Sequence, residues 1–276
     1  MRLIDVEHLG RERVICCWQV DDVLVDPGPE SSVETVLAAL GEDVPRALLL
    51  THIHLDHAGA TGALVRRWPH LEVYVHERGA QHLIDPAKLI ASASRLYGDR
   101  MEELWGEIVP VPESNVRVLS GGEEVDGFSV AYTPGHASHH VAYLHGASGR
   151  AFTGDVAAVR IPPGDFIIPP TPPPDIDVEK WNRSLDAVAD WKPESLGLTH
   201  FGAVEDPTAH IETVRQRLAE YADRARNLDA DGFEQALRDD VDAHTDPESA
   251  ASLLQAVPPE QQFLGLDRYW NKVKAS

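Results

Sequence analysis

Residues 46–57 read RALLLTHIHLDH. Arg46 to Leu50 is a continuous apolar run behind Pro45, the pattern of a strand covered on both faces. The residues that follow, Thr51 to His57, fall at the C-terminal end of that strand, where open αβ sheets place their ligands. His52, His54, Asp56 and His57 all stand in this turn. Neutral imidazole and carboxylate are donors that borderline divalent ions accept, and extended backbone sends residues i, i+2 and i+4 to one side. One short turn therefore offers four ligands to a metal.

Upstream, residues 13–20 (RVICCWQV) and 22–26 (DVLVD) read as two antiparallel strands that stop at Pro27-Gly28-Pro29. Ser31 and Ser32 stand where the cap of a helix running to Leu40 belongs. Downstream, residues 71–75 read as a strand, and residues 78–105 carry helical spacing broken by Pro86 and Gly98. This predicts a helical insertion, about residues 78–108, over one edge of the sheet. From Val116 the β-like runs return, at residues 116–119, 128–133, 141–145 and 150–153, and imply a second sheet. Residues 161–174 hold seven prolines, which predicts a stiff extended loop without helix or ladder. That Pro-rich loop, residues 160–174, is expected to wall a cleft. A helix over residues 178–189 leads to a short β-like run at 195–199, and beyond Pro207 the spacing is helical, with breaks at Gly232, Pro247 and Pro258. The expected division is a catalytic unit over residues 1–205 and a helical C-terminal extension over residues 206–276 packed on it.

The chain of 276 residues carries 24 basic and 45 acidic side chains, a formal net charge of −21. A field of that sign repels phosphate backbones and anionic lipid, so neither nucleic acid nor a membrane surface is an expected partner. A hydrophobic share of 43% excludes disorder along the whole length. The opening MRLIDVEHLGRERV has charges where an export signal would need an apolar run. Cys16 and Cys17 are neighbours on an expected strand, where side chains point to opposite faces and do not readily bridge; a reducing cytoplasm fits.

Three further ligand types stand at expected strand ends: His136 in TPGHASHH, Asp155 in FTGD and His200 in LTHFG. Each lies beside glycine, which lets backbone approach a shared centre. His70, His76, His82, His139, His145, His210 and His244 have no partner at ligand spacing, and surface or structural roles are expected for them.

In this order and spacing, His52-x-His54-x-Asp56-His57 followed by His136, Asp155 and His200 resembles the ligand signature of the metallo-β-lactamase fold superfamily, over roughly residues 3–205. The resemblance implies an α/β (α+β) chain folded as a four-layer αβ/βα sandwich with a helical C-terminal appendage. It implies two metals, one held by His52, His54 and His136, the other by Asp56, His57 and His200, with Asp155 between them. The glyoxalase II type is the branch it looks most like, through His54 and the Thr-Pro-Gly-His around His136; His140 would support a ligand rather than bind. The implied activity is dinuclear metal-dependent hydrolysis of a small thioester, ester or lactone. Two divalent cations, zinc first with iron or manganese also acceptable to these donors, ionise a shared water, and Asp56, the candidate catalytic residue, directs it.

The positive centre suits an anionic small molecule. Glutathione is disfavoured because the acidic tail shows no basic cluster, and an acyl-homoserine lactone because Val156, Ala157 and Ala158 follow Asp155 where that branch has tyrosine. The alternatives are a persulfide dioxygenase-like oxidoreductase with a single iron on His52, His136 and Asp155, a phosphodiester hydrolase, and a binding protein on a retired hydrolase fold. Substrate contacts are expected from the insertion and the Pro-rich loop, with Tyr97, Arg160 and Phe166 as candidates. Leu266, Tyr269 and Trp270 are expected to make a packing or homodimer contact.

Overall fold

The structure is a computed structural model that describes residues 1–275. Its first sheet sets β1 (Arg2–Asp5), β2 (Cys16–Val20), β3 (Val23–Val25), β4 (Ala47–Leu49), β5 (Glu72–His76) and β6 (Val116–Leu119) side by side in chain order. The first three are antiparallel, and β3 to β6 are parallel. The second sheet uses β7 (Glu124–Val125), β8 (Phe128–Tyr132), β9 (Val141–His145) and β10 (Arg150–Phe152). A separate ribbon pairs β11 (Val159–Arg160) with β12 (Ile167–Ile168). Then β13 (Ser195–Leu198) and β14 (Gly202–Val204) complete the second sheet in the order β14-β13-β10-β9-β8-β7.

The alternation of side chains along each strand builds the layers. Trp18, Val23, Val25, Ala47 and Leu49 share one core with Phe128, Tyr143, Phe152, Leu196 and Leu198 of the other sheet. The Trp18 ring meets Phe152 edge-on at 5.6 Å, and its Nε1–H donates to the Leu198 carbonyl at 3.0 Å, stitching sheet to sheet. The intervening Cys17, Leu24, Leu48 and Leu50 point the other way, onto Val36, Leu40, Leu64 and Leu83 of the helices Val33–Leu40, Thr61–Arg67 and Glu77–Ile84. Each fully buried leucine here contributes about 1.5–3 kcal/mol. Cys16 and Cys17 accordingly lie in different cores as free thiols. The helices Val178–Asp190 and Pro207–Asn227 cover the second sheet through Trp181, Leu185, Val214 and Leu218. The result is the expected helix, sheet, sheet, helix sandwich.

Several expectations change. Arg2–Asp5 is a strand that composition hides, because only Ile4 of its four residues is buried at this sheet edge. Val116–Leu119 belongs to the first sheet, parallel to β5, since the helical insertion is the crossover between them. The Pro-rich loop does contain a ladder: its prolines flank Ile167 and Ile168 rather than interrupting them, and both pair with β11. Ser32 makes no cap bond to its helix, and the Ser31 hydroxyl donates instead to the Leu104 carbonyl at 2.7 Å. Gly232 lies within the helix Ala230–His244; the break precedes it, where Asp229 caps the helix by accepting from the Gly232 N–H at 2.9 Å.

Helix Pro207–Asn227 shares the core of the second sheet, and the helices Ala230–His244, Pro247–Ala256 and Pro259–Ala275 pack beyond it. Leu266 and Tyr269 are buried within the chain, and Trp270 Nε1–H donates to the Ala222 carbonyl at 2.7 Å, so this trio serves internal packing. No helix among the described residues is long and apolar enough to cross a membrane.

Candidate metal centre

The turns that follow β3, β4, β8, β10 and β13 meet at one edge of the sandwich and bring Asp26, His52, His136, Asp155 and His200 together. All seven expected ligands converge there. His52, His54, His136 and Asp155 form one group that could hold a metal ion, and Asp56, His57 and His200 a second. In the first, His54 Nδ1 lies 3.0 Å from both His52 Nε2 and His136 Nε2. In the second, His200 Nε2 lies 3.3 Å from His57 Nε2 and 3.3 Å from Asp56 Oδ2. Asp155 stands between them: Oδ2 is 3.2 Å from His136 Nε2, and Oδ1 is 3.2 Å from His57 Nε2 and 3.6 Å from His200 Nε2. A left-handed Gly154 (φ 46°) makes this approach possible, because a Cβ there would press to 2.8 Å from His140 Nε2.

The far side of each ring explains why these nitrogens converge. His57 Nδ1–H donates to Asp26 Oδ2 at 2.8 Å, His136 Nδ1–H to the Pro170 carbonyl at 2.9 Å, and His200 Nδ1–H to the Val14 carbonyl at 2.7 Å. The Thr51 hydroxyl donates to Asp26 Oδ2 at 2.7 Å, so it accepts from His52 Nδ1–H at 3.1 Å. Four rings thus have Nδ1 engaged by an outer partner and turn Nε2 inward, the arrangement that metal-ligating histidines take from their outer partners. Asp26, fully buried, also accepts the Thr51 N–H at 2.8 Å and the Thr199 hydroxyl at 2.8 Å, tying β3, β4 and β13 beneath the cluster.

The electrostatics agree with this donor set. Burial disfavours a charged His57, but Asp155, Asp56 and Asp26 outweigh it and hold its pKa well above the ordinary imidazole value. Burial alone would raise Asp155, yet His57 and His136 hold it well below the carboxylate range. Burial and then the neighbouring His136 lower His54 to about 4. The field around His57 therefore seeks positive charge. Asp155 Oδ1 is buried without an aligned hydrogen-bond donor, and the inward lone pairs face one another, so the residues fit divalent cations.

Above the cluster opens a cavity of about 910 Å3 with His54, Asp56, Asp155 and His200 on its wall. Tyr97 lines it as expected. Arg160 and Phe166 do not. Arg160 exchanges backbone bonds with the ligand-bearing turn, its N–H donating to the His200 carbonyl at 2.7 Å. Phe166 is buried against His244, stacked at 4.9 Å, with Arg217 over its ring at 4.7 Å.

The acidic tail, expected to show no basic cluster, still brings Arg238 and Arg268 of the C-terminal helices to the cavity wall. His139, expected to have a surface or structural role, is buried on the cavity wall and accepts the Ile53 N–H at 3.4 Å. His140 stacks on His52 with ring centres 5.0 Å apart and bonds the Thr133 hydroxyl at 2.8 Å. Sequence reasoning passed over Asp26 and His8, the latter also on the cavity wall. Asp26 repeats the pattern of an acidic residue directly after an apolar strand that marks Asp155; His8 has no such signal.

Comparison with known proteins agrees with this architecture. A family profile of the metallo-beta-lactamase superfamily matches residues 21–200. The metallo-beta-lactamase fold-containing protein ST1585 of Sulfurisphaera tokodaii is 29% identical over 212 residues, covering 74% of this chain and 77% of that protein. The crystal structure of ST1585 superposes with a TM-score of 0.72 at 24% identity, covering 96% of this chain and 97% of that one. A hydroxyacylglutathione hydrolase of Xanthomonas euvesicatoria is 35% identical over 135 residues, 48% of this chain and 40% of its own length. The chain thus matches about half or less of these hydrolases. TTHA1623, solved in a di-iron-bound form, superposes with a TM-score of 0.54 at 29% identity, covering 69% of this chain and 89% of that one. The profile spans both sheets from β3 to β13 and ends on the last of the seven converging ligands, so the chain belongs to the metallo-beta-lactamase superfamily.

Proposed function

We propose that the chain is a dinuclear metal-dependent hydrolase of a small thioester, ester or lactone that carries an anionic group. The observation that carries this reading is the placement of Asp155: its two oxygens face two separate groups of ligand atoms on the floor of one cavity. His52, His54 and His136 would hold one cation, Asp56, His57 and His200 the other, and Asp155 both. Bound there, divalent cations lower the pKa of water and polarise a carbonyl oxygen. The donors accept zinc, iron or manganese, and the di-iron form of TTHA1623 favours keeping iron among them.

The chain's own contribution is orientation. Asp26 fixes the tautomer and direction of His57, and the Pro170 and Val14 carbonyls do so for His136 and His200. Asp56, partly open to the cavity, can accept a hydrogen bond from the attacking water and fix its direction. Of the acidic residues on the wall, Asp56 and Asp155 belong to the cluster, which leaves Asp175 and Glu260 against Arg78, Lys88, Arg95, Arg100, Arg238 and Arg268. In a chain of net charge −21 this local reversal favours an anionic substrate. The hydroxyacylglutathione hydrolases, the glyoxalase II type, make a thioester the leading class. Two buried reduced thiols are compatible with a reducing cytoplasm.

A panel of thioesters, esters and lactones, assayed against protein whose metal content is measured in the same preparation, tests the reading. Hydrolysis with two metals per chain, lost in Asp56→Ala, is the expected result. One iron per chain with thiol-dependent oxygen uptake would replace hydrolysis by an oxidoreductase.

A further inference from the structure

We propose that His8 is a substrate-recognition residue: its imidazole hydrogen-bonds a hydroxyl or carbonyl that the substrate carries beyond its reacting carbonyl. This rests on the hydrolase reading only for the identity of the reacting group. His8 is 3% exposed and lies on the wall of the same cavity as His54, Asp56 and His200. Its Nδ1 is buried without a partner, and among the described residues Nε2 makes no hydrogen bond either. The large majority of buried polar groups in folded chains are paired, because leaving them unmet is unfavourable. Nε2 is the nitrogen that is not fully buried, so it is the one a molecule in the cavity can reach, and a fixed ring that gives no side-chain hydrogen bond to the described residues points to a partner that enters there.

The ring is held in place as a recognition group should be. It stacks on Trp105 with centres 5.5 Å apart and planes 8° apart, and Tyr97 meets the far aromatic edge-on at 5.1 Å. The backbone beneath it is pinned: the Asp5 carboxylate accepts the Glu7 and Arg13 N–H groups at 3.0 and 2.7 Å, and Gln255 Nε2–H donates to the His8 carbonyl at 2.9 Å. Glu7 and Leu9 on either side are left-handed at φ 49° and 55°, a conformation that side chains with a Cβ adopt reluctantly and that clusters at functional sites. Burial lowers the imidazole to about 4, so at neutral pH it offers one N–H and one lone pair rather than a charge. His8 makes no hydrogen bond or ring contact with the seven ligands but lies near enough to feel the charges of Asp56 and His200, which places the group it meets beside the reacting atom rather than on it.

The test uses metal-loaded full-length protein and its His8→Phe variant, which keeps the stacking on Trp105 and removes both nitrogens. Calorimetry with butanoate, 3-hydroxybutanoate and 4-hydroxybutanoate as probes reads the preference without turnover. The expected result is tenfold or more tighter binding of one hydroxylated acid by the wild type, and equal binding of all three by the variant, with unchanged metal content and a melting temperature at or above the wild type. The matched acyl thioesters should show the same split, with KM raised for the hydroxylated one only. Absence of any preference in the wild type, or its survival in His8→Phe, overturns the proposal. A preserved binding preference without hydrolysis of any thioester, ester or lactone sinks the hydrolase reading and leaves His8 standing.

Discussion

The floor and the walls of the cavity are built on different principles. On the floor, backbone turns at strand ends aim the side chains, and nearly every nitrogen that does not point inward is bonded to a carboxylate, a hydroxyl or a carbonyl. On the walls, the side chains come from the insertion helices, the turn at His8 and the C-terminal helices, and several polar groups have no partner: His8 Nδ1 and Trp105 Nε1 are buried and unmet. A floor whose ligand rings are fixed from behind suits fixed chemistry, and a wall with polar groups left free suits a varying ligand. The comparison teaches where to strike for loss of chemistry and where for loss of selectivity.

The largest effect is expected on the floor. Asp56→Ala or His57→Ala should lower hydrolysis about a thousandfold or more and reduce bound metal by one per chain, read by elemental analysis and steady-state rates. Next, Asp26→Ala, which touches no cavity, should weaken metal binding about 10–100-fold and cost about 3–5 kcal/mol of stability by leaving His57, Thr51 and Thr199 without their shared acceptor. Chelator competition and denaturant melts check both. On the walls, Lys88→Glu or Arg95→Glu should raise KM for an anionic substrate about tenfold while leaving kcat alone, an effect that shrinks with added salt. Arg160→Met and Phe166→Leu, off the cavity, should leave KM unchanged.

The smallest effect concerns acid stability of metal-free protein. His8 binds its proton in the unfolded chain near 6.5 but in the folded chain only near 4. Between those values the unfolded state holds more protons, so this group's contribution to stability is full above about 6.5 and falls away as pH drops toward 4. His8→Phe should flatten the acid limb of the melting curve by about one proton. An unchanged slope would mean that the ring is charged or solvated in the folded state.

The floor was legible in the sequence and the walls largely were not, for one physical reason. His52, His54, Asp56 and His57 are set by local spacing on a turn after an apolar run, and at other strand ends His136 and Asp155 follow a glycine and His200 stands two residues before one, so period and punctuation expose them. Asp26 escaped because Asp-Pro-Gly after a strand reads equally well as a plain turn. Arg238 and Arg268 reach the site only through the packing of the C-terminal helices, which side-chain periodicity does not orient against a partner. Arg160 and Phe166 misled because nearness in the chain to Asp155 suggested nearness to the cavity, whereas β11 and β12 turn them elsewhere. The sheet to which Val116–Leu119 belongs was hidden in the same way: alternation marks a strand, not its neighbour.

The most direct test is a titration of metal into metal-free protein, with stoichiometry read by calorimetry and elemental analysis. The account expects two ions per wild-type chain, and one per chain in His57→Ala. A wild-type chain that saturates at a single ion would contradict it.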